Sequence, residues 1–181
     1  MKNVVSVRKE LKIRTVFNVL GPFANPSRTD RQLVGVPNAN IVGTMAKAAQ
    51  ALNYKHLIIV TSEDGMDEVS ISTKTNGFEI RGKTIKKFSI DPKKLGFKKA
   101  PKGTLAGGSK EENAEIIRKI LSGKKGPKRD IVVLNAGCAL LVAGLAKTIK
   151  DGILLAEKSI DSGAARKALE TLVRETQKQI A

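Results

Sequence analysis

Arg31-Gln-Leu-Val-Gly-Val-Pro-Asn-Ala-Asn40-Ile-Val-Gly-Thr-Met-Ala-Lys-Ala-Ala-Gln50-Ala-Leu-Asn-Tyr-Lys-His56-Leu-Ile-Ile-Val-Thr61 is the stretch from which the fold is read. Its two ends, residues 31–36 and 56–61, are short apolar runs, the first closed by Pro37-Asn38, and both read as buried strands. Between them lie Ala46, Ala48, Ala49 and Ala51, residues of high helix propensity, so a helix is predicted over 41–52 with Asn40 as its cap. Strand, helix and strand within about 30 residues make the crossover unit that joins parallel strands. An α/β sheet is therefore expected at the centre.

Working outward toward the C-terminus, the pattern changes past Gly65. Apolar and polar residues alternate over 69–75, 78–81 and 84–90, with Asn76-Gly77 as a hairpin signal, which predicts antiparallel strands added to the parallel set. Ser109-Lys-Glu-Glu112 has the form of a capping box, so a helix is predicted to run from it through residue 121. Arg129-Asp-Ile-Val-Val-Leu-Asn135 reads as a third buried parallel strand, followed by a small-residue helix over 136–147. Two further helices are expected over 149–159 and 163–177, divided near Asp161-Ser162-Gly163. The expected class is α/β, with a mixed, largely parallel sheet flanked by helices. Such a sheet is narrow for so much helix, which suggests that the unit is not self-sufficient.

Composition narrows the function. The 181 residues are 41% hydrophobic and 28% charged, which suits one domain with a real core. No apolar run reaches the roughly 18 residues of a membrane span, and the N-terminus has no secretory apolar core. A single cysteine, Cys138, cannot close an internal disulfide, so a cytoplasmic location is expected. The net charge of +16 is carried largely by lysines over 83–102 and 124–129. Polyanion binding is one reading and a solvated lysine-rich face the preferred one. With 3% aromatic residues and no Trp, a stacking platform for single strands is not expected.

Toward the N-terminus, Val4, Val7 and Leu11 recur at the spacing of one buried helical stripe, and Arg8 falls at its rim. Gly21-Pro22 then stops the helix, because proline lacks an N–H and disfavours helical geometry in the residue before it. A cation beside a turn of little bulk suits a flat anionic small molecule. Arg8-Lys-Glu-Leu-x-Ile-Arg14-Thr-x-Phe-Asn18-x-Leu-Gly21-Pro22-x-x-Asn25-Pro26 resembles the substrate-binding segment of the anthranilate phosphoribosyltransferases, with Lys12 in place of the usual glycine. The resemblance implies that Arg8 binds anthranilate and that Gly21 and Pro22 line its channel. Arginine is suited to the task, since its paired N–H donors match a carboxylate. Arg14 is expected to be structural.

The second constellation is Glu63-Asp64-Gly65-Met66-Asp67-Glu68. Adjacent carboxylates on a strand point to opposite faces, so sharing a metal requires a loop, and Gly65 permits one just past the second strand. Ligands of α/β proteins gather at such carboxyl ends. Gly65-x-Asp67-Glu68 resembles the family's metal pair, which implies that Asp67 and Glu68 bind Mg²⁺, while Glu63 and Asp64 add only field. The implied reaction moves a phosphoribosyl group from 5-phosphoribosyl-1-pyrophosphate (PRPP) to the amine of anthranilate, a step of tryptophan biosynthesis. No general base is expected. His56, Cys138, Gly107-Gly108-Ser109 and Asn135-Ala-Gly137 are all expected to be structural.

The resemblance covers essentially the whole chain but only the C-terminal half of a typical family member. The helical N-terminal domain, through which members dimerise, and their Gly-Thr-Gly-Gly-Asp phosphate loop have no counterpart, so the fragment alone is expected to be inactive. A nucleic-acid-binding relative and a pyrimidine nucleoside phosphorylase are the alternatives. The first is supported by the charge, and the second lacks the motif over 17–26.

Overall fold

The computed structural model describes residues 21–178. Arg8, Arg14 and the stripe of Val4, Val7 and Leu11 lie outside the described residues. Strand β1 (Arg31–Gly35), helix α1 (Ala39–Ala51) and strand β2 (His56–Ser62) form the expected crossover, with β1 and β2 parallel from Arg31 opposite His56 to Gly35 opposite Val60. The cap of α1 is Asn38 rather than Asn40. Asn38 is extended, and its side chain accepts a hydrogen bond from the Asn40 N–H at 3.0 Å. Val42, Met45, Ala46 and Ala49 turn inward and pack with Val34, Leu57, Ile59 and Ile80 of the sheet.

Strands β3 (Thr75–Arg81) and β4 (Thr84–Ile90) extend the sheet antiparallel, in the order β1-β2-β3-β4. Asn76-Gly77 is not the hairpin turn. It lies inside β3, where a methyl group on Gly77 would sit 2.2 Å from the Ile59 carbonyl oxygen, so the glycine serves close strand approach. The chain reverses instead at Gly82-Lys83, with Gly82 at φ +56°. Residues 69–74 alternate but form no strand.

Residues 129–135 are not a third parallel strand either. They belong to helix α3 (Pro127–Ala143), which Pro127 opens at its first turn behind Gly126. A short apolar run does not by itself separate strand from helix, and here Ile131, Leu134, Cys138 and Leu141 are buried at helical spacing. The class remains a mixed sheet flanked by helices, with one parallel ladder in place of two.

Helix α2 (Lys110–Leu121) begins in the predicted capping box, with Ser109 and Glu112 each accepting the other's backbone N–H. Helices α4 (Ile149–Asp161) and α5 (Ala164–Gln177) complete the layer. α3 and α4 meet backbone to backbone, since a methyl group on Gly152 would lie 2.2 Å from the Gly137 carbonyl oxygen. Gly137, expected to be structural, thus serves tight helix packing. No helix among the described residues is long and apolar enough to cross a membrane.

Candidate active site

The loop that leaves β2 carries Asp67 and Glu68, and its backbone is fixed on four sides. From the β2 end, the Ser62 N–H donates to the Met66 carbonyl at 3.1 Å and the Gly65 N–H to Ser62 at 2.9 Å, with Gly65 at φ +76°. Asp64 closes the turn by accepting from the Met66 N–H at 3.2 Å and the Ser70 hydroxyl at 2.8 Å. It is therefore a structural residue, more than a source of field.

From below, Ser62 donates its hydroxyl proton to the Glu68 carbonyl at 2.5 Å. Thr75 is then the donor in the 2.6 Å contact between the two hydroxyls, and both oxygens accept from the buried Ser70 N–H. From the helix side, the Asn135 amide pairs with the Val69 peptide, accepting from its N–H and donating to its carbonyl, each at 2.9 Å. Asn135 also donates to Ile131, one turn back on α3, at 2.9 Å. From the sheet side, the Asp67 carbonyl lies directly over Gly35, where any side chain would collide with it.

The rigid backbone contrasts with the free side chains. Asp67 and Glu68 are exposed, and among the described residues neither takes part in an ion pair. They rim a cleft of about 390 Å³ lined by Leu33, Gly35 and Val60 of the sheet and by Ile131, Val132 and Asn135 of α3. The cleft lies at the carboxyl ends of the two parallel strands, where α/β sheets hold ligands. Among the described residues no third His, Cys, Asp or Glu joins the pair. Two hard oxygen donors with the remaining positions open fit Mg²⁺, which keeps waters and binds through one or two carboxylates plus substrate phosphates.

Gly21 and Pro22 belong to a short 3-10 turn, Gly21–Phe23, away from this cleft. Phe23 packs edge-on against Tyr54, with ring centroids 6.0 Å apart, beside a separate hollow lined by Asn25, Arg28 and Asn53. Tyr54 precedes β2, whereas Asp67 follows it, so the two groups lie at opposite ends of the parallel strands. The structure does not bring Gly21-Pro22 to the acidic pair.

The remaining candidates have structural explanations. His56 is buried, with its Nε2 2.8 Å from Glu79 on β3, and burial pushes its pKa down against the opposing pull of that carboxylate. Burial pushes the Cys138 thiol up to about 12, which leaves it a core residue and no nucleophile. Gly108 packs against the Asn113 side chain and Ser109 caps α2, so that turn needs no ligand. Arg129, buried at the start of α3, grips Asp161 with two guanidinium nitrogens at 2.8 and 3.0 Å and holds that carboxyl below the usual range.

Sequence reasoning found the acidic pair but missed its clamp. Ser62, Ser70, Thr75 and Asn135 are small polar residues at positions that an apolar core would fill, and that was the available signal.

The fold and the loop define an α/β domain with an open pair of carboxylates at the carboxyl ends of its parallel strands. Residues 1–166 match the glycosyl transferase family a/b domain, and the chain belongs to that family. Over 172 residues it is 51% identical to the anthranilate phosphoribosyltransferase of Clostridium beijerinckii, covering 95% of this chain and 51% of that protein. It is similar in structure to the Saccharomyces cerevisiae anthranilate phosphoribosyltransferase in complex with 4-fluoroanthranilate. There the TM-score is 0.90 at 32% identity, covering 98% of this chain and 52% of the other. The same yeast enzyme in complex with PRPP and Mg gives 0.86 at 34% identity, over 94% and 49%. The resemblance read from the N-terminal motif is borne out, and the chain spans about half the length of the relatives it matches.

Proposed function

We propose that the chain is the metal-binding portion of an anthranilate phosphoribosyltransferase, corresponding to the C-terminal half of the family's full-length enzyme. In this reading Asp67 and Glu68 hold the Mg²⁺ of Mg²⁺-bound PRPP, Arg8 receives anthranilate, and Gly21 and Pro22, at the other end of the parallel strands, line the channel through which it enters. The observation that carries it is the acidic pair, two exposed carboxylates with no ion-pair partner among the described residues, on a rigidly held backbone at the rim of a cleft at a ligand edge. The yeast relative, solved with PRPP and Mg, supports the choice of ion and substrate.

The metal, when bound, offsets charge that grows on the departing pyrophosphate. The chain's own residues do the rest. The clamp of Ser62, Thr75 and Asn135 fixes the backbone that carries the two carboxylates, so the loop itself needs no reorganisation as charge develops. Arg8 orients the anthranilate carboxylate so that the neutral amine faces the sugar carbon, and orientation supplies much of the rate. The amine attacks without a general base. The 181-residue chain by itself is expected to be inactive, because only about half of the family's length is present.

The test is formation of N-phosphoribosyl anthranilate by this chain combined with the complementary half of the Clostridium beijerinckii relative. Arg8→Ala should raise KM for anthranilate far more than for PRPP, and Asp67→Asn should raise the Mg²⁺ requirement. Turnover with an unchanged Mg²⁺ titration in Asp67→Asn would remove that residue from the metal site.

A further inference from the structure

A second cavity, of about 440 Å³, opens where the end of α2 meets the start of α3, and it shares no lining residue with the Asp67-Glu68 cleft. Its floor is apolar, made by Ile116 and Ile120 of α2 and by Pro127. Its rim carries Lys119, Lys124, Lys125 and Lys128, and among the described residues no carboxylate lines it. The sequence brings these groups together. Ile116, Lys119 and Ile120 stand at i, i+3 and i+4, so they share one face of α2. Gly126, at φ +130°, then turns the chain so that Lys124 and Lys125 on one side and Lys128 on the other flank the same opening.

Most of this charge is poorly matched. Arg129 is the exception, being committed to Asp161, which Lys125 also approaches at 3.7 Å. Lys119 meets Glu115 at 3.4 Å, but both side chains are about half exposed, and such pairs contribute little. Lys124 takes part in no ion pair among the described residues. Lys128 is half-buried, and its ammonium donates to a neutral acceptor, the Ala106 carbonyl. A cation drawn from water and matched only to a dipole is costly, and an anion beside it offsets that cost. The amino end of α3 adds potential of the same sign.

We propose that this cavity binds a phosphate monoester carrying an apolar body. Lysines act as point charges toward the several oxygens of a dianionic phosphate. A carboxylate is matched best by the fork of an arginine, and the arginine here is held by Asp161. The isoleucine floor calls for an apolar body, and the volume is that of a small-molecule site rather than of a bare ion. The site stands apart from the proposed activity, since neither Asp67 nor Glu68 belongs to it.

The test titrates phenyl phosphate, inorganic phosphate and phenol separately into the isotope-labelled chain, without divalent metal, and follows amide NMR. Phenyl phosphate should give saturable shifts centred on residues 116–129 and bind roughly tenfold more tightly than inorganic phosphate, while phenol should not saturate there. The Lys124→Gln, Lys128→Gln double variant should weaken phenyl phosphate roughly tenfold or more. Lys167→Gln with Lys178→Gln, which removes the same charge from exposed positions on and just beyond α5, should not. Ile116→Ser should weaken phenyl phosphate and leave inorganic phosphate unchanged. The wild-type shift map decides the matter even if the double variant fails to fold. The proposal is overturned by shifts centred on the Asp67-Glu68 loop or spread over the lysines at large, or by equal affinity for phenyl phosphate and inorganic phosphate. It is also overturned by equal losses in the two double variants, which would leave net charge alone as the cause. Failure of this binding would leave Mg²⁺-dependent turnover standing, and failure of turnover would leave this site standing.

Discussion

Replacing Gly35 by alanine should dislodge the acidic loop from a distance. The added methyl carbon would lie 1.5 Å from the Asp67 carbonyl oxygen and 2.3 Å from its carbon. An ordinary carbon–oxygen contact is about 3.3 Å, so the Asp67 peptide must retreat by about 1.8 Å. That retreat is resisted by the Ser62 bond to Glu68 and the Asn135 pairing with Val69. Overpacking of this kind costs about 1–3 kcal/mol, and loss of one clamping hydrogen bond adds about 1 kcal/mol. At about 2–4 °C per kcal/mol for a chain of this size, Tm should fall by roughly 4–16 °C, read by circular dichroism. Gly43→Ala is the control, because it lies in α1 with nothing within 4 Å of its methyl group and should stabilise by up to about 1 kcal/mol. A Gly35→Ala protein with wild-type Tm would refute the argument that the Asp67 peptide is pinned on β1.

Asn135→Ala should destabilise by roughly 2–4 kcal/mol, because it leaves the N–H and carbonyl of buried Val69 without their partner, and denaturant unfolding would measure it. A loss below about 0.5 kcal/mol would mean that the clamp is replaced by water. His56 predicts a pH dependence. Its folded pKa lies below the ordinary histidine value of 6.5, so the unfolded chain takes up the proton first as pH falls. The stability it confers is complete above 6.5 and lost as pH drops below that value toward the depressed folded pKa. Urea unfolding at about pH 7.5 and 5.5 should show the decline, and His56→Gln should reduce it. An equal slope in His56→Gln would assign the effect elsewhere.

Much of this was legible in the sequence, and the failures have physical causes. The first crossover could be read because its strands are short, apolar and bounded, and its helix rich in alanine. The capping box of α2 could be read because both partners are local. Gly77 misled because a glycine needed for close strand approach looks like a glycine needed for a turn. The run over 129–135 misled because so short an apolar stretch does not distinguish a buried strand from a helix, and Pro127 is the helix-start signal. In the site, the carboxylates were visible as a motif, but the clamp was not. Asn135 and Val69 are 66 residues apart, and no local rule joins them.

The proposed activity depends on Asp67 and Glu68 forming a metal site. Mn²⁺, used as a paramagnetic probe for Mg²⁺ and titrated into the isotope-labelled chain, tests this directly by amide NMR. Line broadening should centre on Gly65 to Val69 and Gly35 and disappear in the Asp67→Asn, Glu68→Gln double variant. Broadening centred elsewhere, or surviving in that variant, would contradict it.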